Sequence, residues 1–327
     1  MASQTMSGAQ RVVRVIKTTL IALALVLALL SFPSMTPWMA AGWLIWHSLL
    51  VIRGRKGWLP LATCCGILII RLVPRTPAMI LFGVLLFAIS ISRFKQQQLV
   101  RPWLSAVTML AIWLAWGAMV LEWYQIENCG RKLTFDSRRP IVCVGDSLTQ
   151  GMLPDHGYPE QLTAMVGAEV VNLGFSGISS GPALGQIDRI LAHNPQLVII
   201  ELGGHDFLKG RSRASTKANL IEIIDLCHAA DTDVLLLEIP RGFIIDPFAS
   251  LEREIAYEKD VQLLSDTWLR EIVLLSPIAP PGRWMSKQSQ LSDDGIHSNQ
   301  RGSKSIATRV ANTLREMYGA DVILPHK

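Results

Sequence analysis

The chain has 327 residues, half of them hydrophobic, and a formal net charge of +5. That length admits two domains, and so apolar a composition is unusual for a single water-soluble enzyme. The positive charge is no sign of nucleic-acid binding, because Met1 to Leu121 holds eleven Lys or Arg and no acid, while the remainder holds 20 basic and 26 acidic residues, a net of −6.

The first part reads as membrane. Apolar runs cover about 17–35, 38–52, 58–71, 76–92 and 103–121. A helix needs roughly 20 apolar residues to cross a bilayer, with about 17 as a lower limit. The first and fifth runs meet that length; the second and third are short. Five spans are expected, with four as the alternative. Arg11, Arg14 and Lys17, then Arg53, Arg55 and Lys56, then Arg93, Lys95 and Arg101 fall on one side if five runs span. Only Arg71 and Arg75 fall in the opposite short loops. Basic loops stay in the cytoplasm. This predicts a multi-pass protein of a bacterial inner membrane, with a cytoplasmic N-terminus and everything after Leu121 in the periplasm or outside. Eight of the ten Trp lie in the first 123 residues, which suits membrane interfaces. A cleaved signal peptide is the competing reading of the first run, but no small-residue cleavage site follows it. The runs contain no acid, and His47 is their only histidine. An anchor therefore fits better than a transporter.

A polar connector, Glu122 to Pro140, leads into the second part. The expected division is a transmembrane helical region over 1–125, a linker over 126–139 and a catalytic domain over 140–327. Strand patterns appear at 141–145, 169–173, 197–202 and 233–239, and helix patterns at about 158–166, 182–193, 214–229, 250–274 and 298–318. This alternation predicts an α/β domain with a parallel sheet covered on both faces. Active sites of such sheets lie beyond the carboxyl ends of the strands. Asp146 and Ser147 fall there after the first strand, Gly174 after the second, and Gly204, His205 and Asp206 after the third.

Ser147 is the candidate nucleophile, at a strand-to-helix turn in Gly-Asp-Ser-Leu. A serine hydroxyl needs a base to take its proton. His297 is the candidate base, and Asp294, three residues earlier, would fix its tautomer. The competing readings are helix caps: Ser147 at the first turn, and Ser292 to Asp294 before the last helix. Gly174 and His205 are the candidate oxyanion donors, the first through its backbone N–H and the second through its ring. The competing reading of Gly174 is a tight turn, and of His205 a structural hydrogen bond. Asp146 and Asp206 are supporting residues. The five Cys read as buried or idle thiols, with no paired-Cys zinc pattern.

Gly145-Asp146-Ser147-Leu148, Gly174, Gly203-Gly204-His205-Asp206 and Asp294-Gly295-Ile296-His297 occur in the order of the four blocks of the SGNH, or GDSL-type, hydrolases. Gly157-Tyr158-Pro159 and Ser298-Asn299 also resemble that family. The resemblance covers roughly 138–320. It implies a flavodoxin-like three-layer α/β/α fold around a five-stranded parallel sheet. It also implies serine-ester chemistry with no metal or organic cofactor, a triad of Ser147, Asp294 and His297, and backbone oxyanion donors at Ser147 and Gly174. One departure stands out. The family's third donor is an Asn, and here the position is His205, whose charge can change near neutral pH.

The expected function is a membrane-anchored serine esterase acting on a lipid ester or an O-acetylated glycan. Phe175, Ile178, Phe207 and Leu208 are the candidate acyl-pocket lining. The expected partners are the ester substrate and the lipid bilayer, without nucleic acid; no protein partner is indicated. The other readings are an O-acyltransferase on surface polysaccharide, an idle ligand-binding scaffold, and a transporter with an attached enzyme.

Overall fold

The computed structural model describes residues 36–70, 75–95, 101–128, 132–153, 156–239, 246–266, 290–292, 294 and 297–324. The first apolar run, 17–35, lies outside the described residues.

Four helices form the N-terminal part: α1 (Thr36–Ile52), α2 (Trp58–Ile70), α3 (Pro77–Lys95) and α4 (Pro102–Glu127). They pack through one apolar cluster that includes Leu44, Leu61, Phe82, Leu86, Ile112 and Met119. Outside that seam large apolar side chains stay exposed, among them Trp38, Ile52, Ile69, Phe87 and Leu114. By length and composition, α3 and α4 could each cross a membrane; α1 and α2 are shorter apolar helices. Two of the expected spans therefore reach full length among the described residues.

The basic residues gather at one end of this bundle. Arg53, Arg55 and Lys56 lie at the α1–α2 turn, and Trp58 packs edge-on against Phe94, ring centroids 5.1 Å apart. Arg93 donates to Ser105 Oγ (3.0 Å) and Thr108 Oγ1 (2.8 Å) in the first turns of α4. At the opposite end Trp116 donates to the Pro37 carbonyl (2.9 Å), and the Ala78 N–H donates to Glu122 Oε1 (3.1 Å).

The second part is a five-stranded parallel sheet in the order β2-β1-β3-β4-β5. Its strands are β1 (Ile141–Gly145), β2 (Val170–Asn172), β3 (Leu197–Glu201), β4 (Asp233–Leu237) and β5 (Gln262–Leu264). Successive strand side chains point to opposite faces, and both faces here are buried. Ile141, Cys143, Leu197, Ile199, Leu235 and Leu237 meet one helical layer; Val142, Val144, Val198, Ile200, Val234 and Leu236 meet the other. The first layer contains α6 (Tyr158–Thr163) and the last helix, α12 (Gln300–Tyr318). Asn299 caps α12, its Oδ1 accepting from the N–H groups of Arg301 and Gly302 at 3.0 Å each. The second layer contains α7 (Ser180–Leu184), α8 (Ile187–Leu191), α10 (Arg213–Ala229) and α11 (Leu251–Lys259). Two further short helices, α5 (Ser147–Gln150) and α9 (Gly204–Leu208), follow β1 and β3 directly.

Three differences from the sequence reading have local causes. The helix expected over 182–193 is two short ones, α7 and α8, broken at Gly185-Gln186. The helix expected over 250–274 stops at Lys259, because Asp260 takes a left-handed conformation (φ 50) and the apolar residues after it form the edge strand β5. The connector expected from Glu122 begins as helix. Ile126 joins the core of the second part, and the Arg253 guanidinium lies 4.3 Å from the Trp123 ring centroid.

Arg253 seats that helix. It is fully buried and binds Glu238 through two contacts of 2.9 Å and Glu127 through one of 2.6 Å. Burial opposes its charge, but the Glu238 and Glu127 carboxylates outweigh that and raise its pKa. Gln262 adds a hydrogen bond from its side-chain amide to the Glu127 carbonyl.

Candidate active site

Gly145 ends β1 under Ser147. A Cβ there would lie 2.0 Å from Thr149 Oγ1 and 2.7 Å from the Glu201 carbonyl, so only glycine permits this turn. Asp146 caps the helix that follows, its Oδ1 accepting from the Leu148 N–H at 3.0 Å. The cap is thus Asp146, and Ser147 is left as the first helical residue, half-buried at the carboxyl edge of the sheet.

His205 comes from the turn after β3. Gly203 is left-handed (φ 111), and Gly204 lies so close to Asp146 that a Cβ would sit 3.0 Å from Asp146 Oδ2. The turn sets His205 Nε2 at 3.9 Å from the same oxygen of Asp146, the residue that precedes Ser147. Asp206 points away, into the fold. Its carboxylate accepts from the Ser180 N–H (2.8 Å) and hydroxyl (2.7 Å), tying α9 to the start of α7.

Asp294 and His297 are joined directly. His297 Nδ1 lies 2.5 Å from Asp294 Oδ2, and the His297 N–H donates to Asp294 Oδ1 at 3.0 Å. A carboxylate facing Nδ1 keeps the proton there and leaves the Nε2 lone pair for a hydroxyl. The helix that follows them, α12, is tied toward the Ser147 helix through residues 156–157. Ser303 donates to the His156 carbonyl (3.1 Å), and Gly157 packs so tightly that a Cβ would lie 2.3 Å from the Thr149 carbonyl. Among the described residues no hydrogen bond joins Ser147 Oγ to His297; such contacts are often long before substrate binds.

Gly174 sits at this edge too, with its N–H already engaged. It donates to Asn172 Oδ1 at 2.9 Å, an Asx turn. A Cβ on Gly174 would lie 2.3 Å from the Gln150 N, so the glycine keeps the β2 loop against the Ser147 helix. As placed, its N–H reaches substrate only if Asn172 lets go. Gly177, three residues on, is left-handed (φ 79) in the turn closed by Ile178 N–H to the Phe175 carbonyl (3.0 Å), and open space surrounds it. Asn two residues before a glycine was the sequence signal for this Asx turn.

Of the four expected lining residues, Phe175 and Leu208 are exposed at the site's edge. Ile178 is buried in the core, and Phe207 packs edge-on against Phe248 with centroids 6.0 Å apart.

Glu201, the last residue of β3, lies at the site but outside the four motif blocks. It is fully buried beneath the nucleophile turn. Its Oε2 accepts from the Asp146 N–H (3.2 Å) and from Thr149 Oγ1 (3.0 Å), pinning the backbone on both sides of Ser147. Burial, then the Asp146 carboxylate beside it, pushes the Glu201 carboxyl well above the usual carboxylate range. An acid at the end of an otherwise apolar run, Leu197 to Leu202, was the available signal.

Residues 143–304 match the model of the GDSL-like lipase/acylhydrolase family. The thioesterase 1/protease 1/lysophospholipase L1 of Escherichia coli K12 is 31% identical over 191 residues, which span 55% of this chain and 86% of that protein. The chain belongs to the GDSL-like lipase/acylhydrolase family. It is therefore an ester hydrolase with the α/β SGNH fold. The arylesterase of Vibrio mimicus is 28% identical to this GDSL hydrolase over 187 residues, 53% of the chain and 87% of the relative. Esterase TesA of Pseudomonas aeruginosa is 37% identical over 124 residues, 36% and 58% of the two chains. The crystal structure of esterase EstA from a Pseudoalteromonas species overlays with a TM-score of 0.45 at 22% identity, covering 55% of this chain and 98% of that one.

Proposed function

We propose that this GDSL hydrolase is a membrane-anchored serine esterase that cleaves a carboxylic ester through Ser147, His297 and Asp294. The observation that supports the reading is the Asp294–His297 pair, gripped at 2.5 Å and 3.0 Å just before α12, whose Ser303 donates to the carbonyl of His156 in the segment after the Ser147 helix. Ser147 Oγ attacks the ester carbonyl carbon while His297 Nε2 takes its proton. The carbonyl oxygen becomes an oxyanion, held by the Ser147 N–H, the His205 ring N–H and, once Asn172 releases it, the Gly174 N–H. The intermediate collapses, the alcohol leaves with the proton from His297, and Ser147 carries the acyl group. Water then attacks the acyl-enzyme, with His297 as base, and frees the acid. Asp294 stabilises the imidazolium at each stage. Asp146 and Asp206 are positioning residues.

The membrane reading adds a helical region over 1–125 and a catalytic domain over 140–327. The basic end of the bundle, with Arg53, Arg55, Lys56, Arg93 and Lys95, lies opposite the end near Glu122 that leads into the catalytic domain. This supports a cytoplasmic basic end and an extracytoplasmic catalytic domain. The names of the relatives, a thioesterase/lysophospholipase and an arylesterase, support acyl-ester substrates.

Labelling by a fluorophosphonate tests the reading. Full-length protein is expected to acquire the phosphonate on the peptide containing Ser147, and the Ser147→Ala variant none. Equal labelling of both would overturn it.

A further inference from the structure

The direction of α4 relative to the sheet is fixed by three contacts. Trp123 lies against Arg253, in the first turn of α11, and Arg253 binds Glu238, just past the carboxyl end of β4. Four residues later, the Glu127 carbonyl accepts from Gln262, the first residue of β5, which pairs with Leu235 in mid-strand β4. From 123 to 127 the helix therefore descends from the carboxyl edge of the sheet toward its amino edge. The chain continues the same way, the Asp136 N–H meeting Gln196 just before β3 (2.8 Å). Read backward, residues 102–122 project from the carboxyl edge, the edge that holds Ser147. The bundle begins at once: Glu122 caps α3 and Met119 is in the bundle core. One helical turn, about 6 Å, separates Met119 from Trp123. β1 lies three strand spacings from β5, about 14 Å to the side of this helix.

The loops at that edge present large apolar side chains. Met152 (42% exposed) and Leu153 (81%) follow the Ser147 helix, Phe175 (62%) follows β2, and Leu208 (71%) follows β3. The three loops are stitched together. The Ser176 N–H donates to Gln150 Oε1 (2.6 Å) and Lys209 Nζ to the Gly177 carbonyl (2.7 Å). They form one surface around the site rather than separate tips.

We infer that this rim is a bilayer-facing surface: the Arg253 seat holds the site edge toward the membrane, and Met152, Leu153, Phe175 and Leu208 enter the lipid leaflet from which the ester is taken. The inference rests on the membrane-anchored esterase reading above. An apolar rim facing solvent would be a liability, whereas facing lipid it gains free energy from burial. The seat lets the helix hold the rim at a set height, because the guanidinium, two carboxylates and Trp123 join the end of α4 directly to the catalytic domain.

The test uses full-length protein in phosphatidylcholine/phosphatidylglycerol vesicles. With Cys129→Ser as background, Leu153→Cys is labelled with an environment-sensitive fluorophore; the other thiols are buried. Emission is expected to shift to the blue and to be quenched by nitroxide lipids. Emission that stays at its aqueous position overturns the inference. In parallel, Met152→Gln/Leu153→Ser is expected to lose about tenfold or more in turnover of a lysophospholipid carried in the vesicle, while keeping the parent rate on soluble acetyl ester. Equal change on both substrates overturns it. A label in lipid on a parent that hydrolyses no ester would uphold the surface and reject the esterase reading, so the two failures are distinguishable.

Discussion

Replacing Glu201 by Gln should stabilise the protein, and by more as pH rises. The carboxyl is fully buried and its pKa lies well above 4.5 in the fold, from burial first and the Asp146 carboxylate second. In the unfolded chain it ionises at about 4.3. Between those two values the folded state binds a proton that the unfolded state releases. The stability this group contributes is complete below the unfolded value and is lost as pH rises toward the folded one. The loss is about 1.4 kcal/mol for each pH unit in that window. For a domain of this size that is roughly 3–6 °C in Tm per pH unit. Glutamine keeps an oxygen for the Asp146 N–H and the Thr149 hydroxyl and has no proton to lose. Glu201→Ala removes that acceptor and leaves two buried donors unpaired, at about 1–3 kcal/mol each. The assay is thermal unfolding of full-length protein in detergent from pH 5 to 8. The gap between Gln variant and parent should widen with pH, and the Ala variant should fall below both at pH 5. A gap that stays constant with pH would mean that Glu201 is ionised in the fold, and the account of the turn beneath Ser147 would fail.

Three other substitutions probe separate parts of the account. Arg253→Met leaves Glu238 and Glu127 without their cation, with an expected loss of about 3–5 kcal/mol by thermal unfolding; Glu238→Gln added to it should recover part of the loss, and no recovery would deny the pairing. Gly174→Ala places a Cβ 2.3 Å from the Gln150 N, with no flexible side chain to yield. A cost of about 1–3 kcal/mol and a drop in kcat are expected, and an unchanged enzyme would refute the close approach. His205→Ala removes the ring N–H proposed for the oxyanion. A loss of about 10²–10³-fold in kcat on esters is expected, and a variant with the parent's kcat would take His205 out of the oxyanion site.

Much of the fold was legible because the sheet is buried on both faces. Ile141 to Val144, Leu197 to Ile200 and Val234 to Leu237 are apolar without interruption, and a chain that alternates them with amphipathic helices has few other ways to bury them. β5 was missed because Val261-Gln262-Leu263-Leu264 continues an apolar pattern that also suits a helix, and the break is a single left-handed Asp260. At the candidate site, the Asp294–His297 contact was legible from the three-residue spacing alone. Gly174 shows the opposite: sequence marks a glycine at a strand end but not the Asn172 side chain that occupies its N–H. The seat of α4 was hidden for a related reason. Glu127, Glu238 and Arg253 are far apart in sequence, and each alone resembles a surface charge.

The most direct test of the central claim is hydrolysis of p-nitrophenyl esters, from acetyl to palmitoyl, by the full-length protein and its Ser147→Ala variant. The account predicts turnover by the parent and a loss of at least about a thousandfold in the variant at every chain length. A Ser147→Ala variant that keeps the parent's rate would contradict it.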